Sequence, residues 1–260
     1  WPCDLHIIGK DILRFHTIYW PIILKCLGLE MPKKIFGHPW LLFSNDKMSK
    51  SKGNIVYAND LVTKYGTDAV RFYLLNEIPY QQDGNYTEEL FIESYNSNLA
   101  NTLGNLVNRT IGMINKYNDG VVVNSFSHDE LDDDLIKSIL ELQNKVKNYI
   151  DTVHIGDALS LIFNIYRKCN KYIDDNLPWV LVKDESKKDR LNTVLYNLVE
   201  SIRIATIYLR AFLPETADSI FKQLNTNLIN LDDACEFGKY PSNTKVNEPI
   251  VLFKRIEKDK

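Results

Sequence analysis

The stretch Lys47-Met48-Ser49-Lys50-Ser51-Lys52-Gly53-Asn54 decides how this chain is read. Three lysines within six positions, spaced by small hydroxyl residues and closed by a glycine, make a strongly cationic loop. Such a loop can set ammonium groups and hydroxyl donors around a polyphosphate. It can then receive the negative charge that builds during transfer at phosphorus. Most short Lys/Ser runs are solvated basic turns. An apolar segment before it and a helical one after it set this string apart.

Working outward, Ser44-Asn45-Asp46 is a turn leading into the loop. Lys34 to His38 and Trp40 to Phe43 read as extended backbone, broken by Pro39. Residues 5–8 read as a short buried strand. Gly9-Lys10-Asp11 turns it into an amphipathic helix with Ile12, Phe15, His16, Tyr19, Ile22, Ile23 and Cys26 on one face. A strand, a glycine turn and a helix N-terminus form the corner where α/β sheets hold nucleotides.

Downstream, helices are expected from Asp60 and from Asp68, and 78–86 reads as a polar linker at a domain boundary. A long helix from Thr87 to about Tyr117 follows, ended by Asn118-Asp119-Gly120. Further apolar stripes predict helices near 132–150, 156–174 and 190–212, with a short one after Pro214. Their spacing is that of core positions in an antiparallel bundle. The acidic run Asp129 to Asp134 reads as a solvated helix start.

Composition bounds the function classes. An apolar content of 45% and a charged content of 25% over 260 residues exclude disorder. A formal charge of -3 excludes a general polyanion coater, so a nucleic-acid partner must be gripped by local basic faces. Cys3, Cys26, Cys169 and Cys235 have no metal-ligand spacing and read as reduced thiols of an intracellular protein, with no zinc site. No apolar run approaches the ~20 residues that span a bilayer. The opening Trp1-Pro2-Cys3-Asp4-Leu5-His6-Ile7-Ile8 reads as a strand without its neighbours, which predicts the C-terminal part of a longer protein.

The run His6-Ile7-Ile8-Gly9-Lys10-Asp11-Ile12-Leu13-Arg14-Phe15-His16, then Tyr19-Trp20-Pro21 and Gly37-His38, resembles methionyl-tRNA synthetases. The lysine loop resembles the second signature of the class I synthetases. Tyr65-Gly66-Thr67-Asp68-Ala69-Val70-Arg71, Asn101 to Arg109, Asn176-Leu177-Pro178-Trp179, Pro214-Glu215-Thr216 and Leu252 to Glu257 continue the match over the whole length. Lys254 departs from it, where the family usually has proline.

The resemblance implies the α/β C-terminal half of a Rossmann-type nucleotide-binding domain over 1–85, followed by an all-α anticodon-binding helix bundle over 86–260. It also implies ligation of L-methionine to tRNA(Met) through methionyl-adenylate, with ATP and Mg2+, in a cytoplasmic or organellar enzyme. The family's His-x-Gly-His signature and zinc-bearing insertion are absent from this sequence. The chain is therefore expected to need an N-terminal half of the active site, and alone to be catalytically incomplete.

Residue by residue, the resemblance makes Lys50 the pyrophosphate-stabilising cation, with Lys47 in support and Ser49 and Ser51 as donors. Gly53 would let the loop close. Gly9 and Asp11 fall on the ribose, Leu41 on adenine through its backbone, and His38 near the phosphates. By residue type alone, Asp11 is a plain helix N-cap. Ile12 and His16, one helical turn apart, fall on the methionine side chain. Trp20, a turn further on, either lines that site or is core. Asn105, Arg109 and Trp179 match the family's anticodon reader, although an indole after Pro178 reads equally well as buried.

Two other readings share some features. One is a non-catalytic tRNA-binding module that retains the lysine loop as a relic. The other is a class I synthetase for cysteine or leucine. The run from Gly9 to His16 and the Asn105, Arg109, Trp179 set speak against the latter.

Overall fold

The computed structural model describes residues 1–49 and 53–257. Strand β1 (Leu5–Gly9) pairs in parallel with β2 (Lys34–His38), and the register sets Gly9 opposite His38. Between them the chain runs through a 3-10 turn at Lys10–Ile12, a π-helical turn at Phe15–Tyr19 and helix α1 (Trp20–Cys26). A parallel pair requires such a crossover. Only Leu24 of this crossover is fully buried.

The expected apolar stripe is therefore present but lies open. Ile7, Ile12, Phe15, Tyr19, Ile22 and Ile23 are all exposed, because a two-stranded sheet covers one side of the helix and nothing among the described residues covers the other.

Strand β3 (Leu41–Phe43) heads a second small sheet. It pairs antiparallel with β4 (Asp46–Lys47) through the Ser44–Asn45 turn, whose φ values are both positive. On its other side it pairs in parallel with β5 (Gly84–Tyr86). The stretch 78–86 is thus not the polar linker its composition suggests. Ile78, Gly84 and Tyr86 are buried, and only Pro79 to Asp83 carry the polar character that dominated the pattern.

Helices α2 (Ala58–Tyr65) and α3 (Thr67–Phe72) follow the lysine loop, hinged at Gly66 with φ +86°. From α3, the Asp68 carboxylate accepts from Thr216 N–H at 2.6 Å and the Arg71 guanidinium donates to the carbonyls of Ala211 and Phe212. One acid and one base thereby fasten the turn between the last two bundle helices to the residues behind the loop, with the signs that helix ends favour.

The long helix exists, but in three parts: α4 (Glu88–Ser94), a ten-residue π-helical segment at Tyr95–Gly104, and α5 (Asn105–Asn118). Asp119, left-handed at φ +51°, and Gly120 end it as expected. After β6 (Val121–Val122) come α6 (Glu130–Leu140) and α7 (Leu142–Asp151), two helices where one was expected. Helix α8 (Ile155–Asn176), the short α9 (Pro178–Leu181), α10 (Lys188–Leu209) and α11 (Pro214–Leu224) complete the bundle. Nearly every residue of α10 is buried, so it is the central helix.

The acidic run is not simply solvated. Asp129 forms a capping box with Asp132, and Asp132 is buried against Arg190. Between α11 and the closing residues, β7 (Thr244–Lys245) pairs with β6. The last described residues return to the long helix, where Asn96 exchanges two bonds with the backbone of Ile256.

Candidate functional site

Gly9 and His38 stand side by side at the carboxyl ends of two parallel strands, where open α/β sheets bind ligands. The Asp11 carboxylate curls back over Gly9: a Cβ there would meet Asp11 Oδ1 at 2.5 Å. Asp11 is exposed, and the N-cap of its turn is Gly9. The His38 ring bonds through Nδ1 to Pro39 O at 2.7 Å and packs edge-on against Tyr80.

Trp40 joins this corner to the lysine loop. The ammonium groups of Lys10 and Lys47 lie 4.4 and 4.2 Å from its ring centroid, and Asp83 ties Lys10 to the Trp40 backbone. Asp83 accepts from Lys10 Nζ at 2.5 Å and from Trp40 N–H at 2.9 Å. Those two donors, Lys10 foremost, hold its carboxyl below the usual carboxylate range. Sequence reasoning missed both Trp40 and Asp83. The signal was an indole flanked in space by two cations, which linear spacing does not reveal.

Lys50 and Ser51 lie outside the described residues. The base of their loop is described: Asn54 accepts from Ser49 N–H at 2.8 Å and donates to Lys47 O at 3.3 Å, bridging the two arms. Met48 and Leu41 line an apolar cavity of about 90 Å³ with Val56, Leu61, Tyr73 and Phe91. Leu41 itself turns its side chain inward while its backbone stays in β3.

Ile12 and His16 come together as expected, with His16 Nδ1 3.1 Å from Ile12 O. Around them His6, Trp1 and Trp20 form a chain of edge-to-face rings at 5.8 to 6.1 Å. Trp20 Nε1 is buried and has no hydrogen-bond partner among the described residues.

In the bundle, Asn105 opens α5 and Arg109 follows one turn later. The Arg109 guanidinium meets Asp174 of α8 at 3.2 Å. α8 stops at Asn176 because Leu177 turns left-handed, at φ +48°, and Pro178 starts α9. Pro178 is buried while Trp179 is 38% exposed, so the indole is not a core residue. The junction is held from beneath by Arg190, which donates to Asn176 Oδ1 and pairs with Asp132 at 2.6 and 2.9 Å. Burial pushes the Asp132 carboxyl up, but the bonds from Arg190 and Tyr172 outweigh it and the net shift is downward.

A glycine turn at the carboxyl ends of two parallel strands lies beside the base of a lysine-rich loop, and the helical bundle carries an exposed indole at Trp179. Residues 3–111 match the model for tRNA synthetases class I (M). Residues 122–260 match the model for the anticodon binding domain of methionyl tRNA ligase, and the chain belongs to the methionyl-tRNA synthetase family.

It is 49% identical over 257 residues to the methionine–tRNA ligase of Clostridium tetani and 50% identical over 260 residues to that of Clostridium acetobutylicum. The match takes in 99% and 100% of this chain, and 40% of the length of each relative. The solved Mycobacterium tuberculosis methionyl-tRNA synthetase bound by methionyl-adenylate superposes with a TM-score of 0.92 at 37% identity. That superposition covers 98% of this chain and 50% of that one. The expected fold class, a class I synthetase α/β part followed by an anticodon-binding helical part, is thereby established.

Proposed function

We propose that this chain supplies the lysine-loop side of the active site and the anticodon reader of an enzyme that joins L-methionine to tRNA(Met) through methionyl-adenylate. The observation that carries the reading is the grouping of Gly9, Asp11, His38 and the Trp40-linked Lys47 at the carboxyl ends of β1 and β2. Asp11 takes the ribose hydroxyls, Gly9 lets the sugar approach the backbone, and the Leu41 backbone takes adenine. ATP enters as its Mg2+ complex. Lys50, supported by Lys47, Ser49 and Ser51, stabilises pyrophosphate as the methionine carboxylate attacks the α-phosphorus. Work of this kind is positioning and charge stabilisation. Ile12 and His16 contact the thioether side chain. Residues 1–85 form the nucleotide side and 86–260 the RNA side of a cytoplasmic enzyme.

The open apolar face of β1 and α1 supports a second element of this reading. We infer that an N-terminal half of the nucleotide domain covers it, completing the ATP and methionine sites. The purified chain is then expected to show background methionine-dependent pyrophosphate exchange, yet to bind tRNA(Met) more tightly than the same tRNA carrying another anticodon. Equal affinity for the two RNAs would overturn the anticodon assignment. Exchange well above background would overturn the split of the active site.

A further inference from the structure

Phe126 is the most exposed large apolar side chain of the described residues, at 82%, and its backbone is left-handed at φ +54°. For a non-glycine residue that conformation is unfavourable, and it persists only where the surroundings over-determine it. Here they do. Asn124 N–H donates to Ser242 Oγ and Phe126 N–H to Asn124 Oδ1, while Asn192 Nδ2 donates to Ser125 Oγ. Beyond Phe126, Ser127 N–H donates to Thr193 Oγ1 and Ser127 O accepts from Arg190. The loop is tied down on both sides, and only the ring is left in solvent.

The guanidinium that holds Ser127 also holds Asn176, three residues before Trp179. Phe126 and Trp179 therefore share one end of the bundle and one partly buried anchor, within the segment that matches an anticodon-binding domain. We propose that Phe126 is a second stacking surface for an unpaired base of the tRNA anticodon arm, beside the one at Trp179; this rests on the anticodon reading given above. Carboxylates follow the loop at the start of α6: Asp129, Glu130 and Asp133, the last bonded to His128. They disfavour a phosphate at this point, whereas an aromatic face takes any base. The contact is thus a base contact that adds affinity with little sequence preference.

The test uses the 260-residue chain and tRNA(Met), with Phe126→Gly, Phe126→Tyr and Trp179→Ala compared by titration and melting. Glycine accepts the left-handed backbone freely, so Phe126→Gly is expected to melt no lower than the parent while binding roughly five- to hundredfold more weakly, the worth of one stacked base. Phe126→Tyr should keep the affinity. If Trp179→Ala weakens binding and Phe126→Gly does not, the second surface is wrong and the anticodon reading stands. If neither weakens it, both fall. If Phe126→Gly leaves RNA affinity unchanged but abolishes a concentration-dependent dimer, the ring docks a second copy and the proposal is overturned.

Discussion

The Arg109 guanidinium of α5 pairs with the Asp174 carboxylate of α8 at 3.2 Å, with Asp174 largely exposed and Arg109 about one-third so. A pair this wet contributes only about 0.2–1 kcal/mol to folding. On the proposed anticodon reading its consequence lies in binding, because the guanidinium proposed to read a base is held beside a carboxylate that repels phosphate. Asp174→Asn is expected to leave the melting temperature nearly unchanged, raise affinity for tRNA generally and narrow the preference for the methionine anticodon. Titrations with two tRNAs differing only in the anticodon check this. A loss of affinity for both would show that Asp174 orients Arg109 for binding.

Trp179 separates stacking from packing. At 38% exposure it is an exposed residue rather than a core one, and the buried Pro178 before it fixes the turn that presents it. Trp179→Ala should weaken tRNA(Met) binding by about 1–3 kcal/mol with little change in the far-UV spectrum or the melt. A drop in stability of about 3–5 kcal/mol, as for truncation of a buried aromatic, would mean that the indole holds α9 in place and that lost binding follows unfolding.

Helical periodicity carried most of the fold, because the stripes in α5, α8 and α11 repeat at spacings that only burial on one face produces. Local pattern failed where long-range partners decide. The segment 78–86 looks like a linker until Gly84–Tyr86 meets β3 some forty residues earlier in the chain. Asp132 looks solvated among its acidic neighbours until Arg190 arrives from α10. At the site, Gly9, Asp11, Ile12 and His16 lie within eight consecutive residues, and it is the family resemblance of that run, not residue type or spacing, that singles them out. Trp40 and Asp83 act through contacts with segments distant in sequence, which residue type alone does not announce, and Asn54 staples its own loop through bonds that a polar residue after a glycine does not single out.

The loop chemistry is tested in an enzyme assembled with its N-terminal half. Lys50→Ala should lower the adenylation kcat by roughly 10²–10³, as for loss of one oxyanion donor, with little change in methionine KM. Asn54→Ala should lower kcat as well, through the lost bridge between Ser49 and Lys47. Normal kcat with a raised methionine KM in Lys50→Ala would move that lysine out of the transition state.

The Asp132–Arg190 pair predicts how the end of the bundle that carries Trp179 responds to acid. Asp132 is 2% exposed and Arg190 14%, and the guanidinium grips both carboxylate oxygens while Tyr172 O–H donates to one of them. The folded-state pKa of Asp132 lies below its ordinary value, so its contribution is fully present above the ordinary carboxylate range. It is lost as pH falls through the lowered folded value. Asp132→Asn leaves Arg190 buried without its counter-charge and should cost about 3–5 kcal/mol at neutral pH. The same variant should lose less stability than the parent between pH 5 and pH 3, because the group that titrates there is gone. Denaturant melts at pH 7, 5 and 3 measure both effects. Because Arg190 also holds Asn176 and Ser127, the fraction of Asp132→Asn that remains folded should bind tRNA(Met) more weakly than the parent. A variant as stable as the parent at pH 7, with the same acid slope, would show that the pair fastens nothing at this end of the bundle.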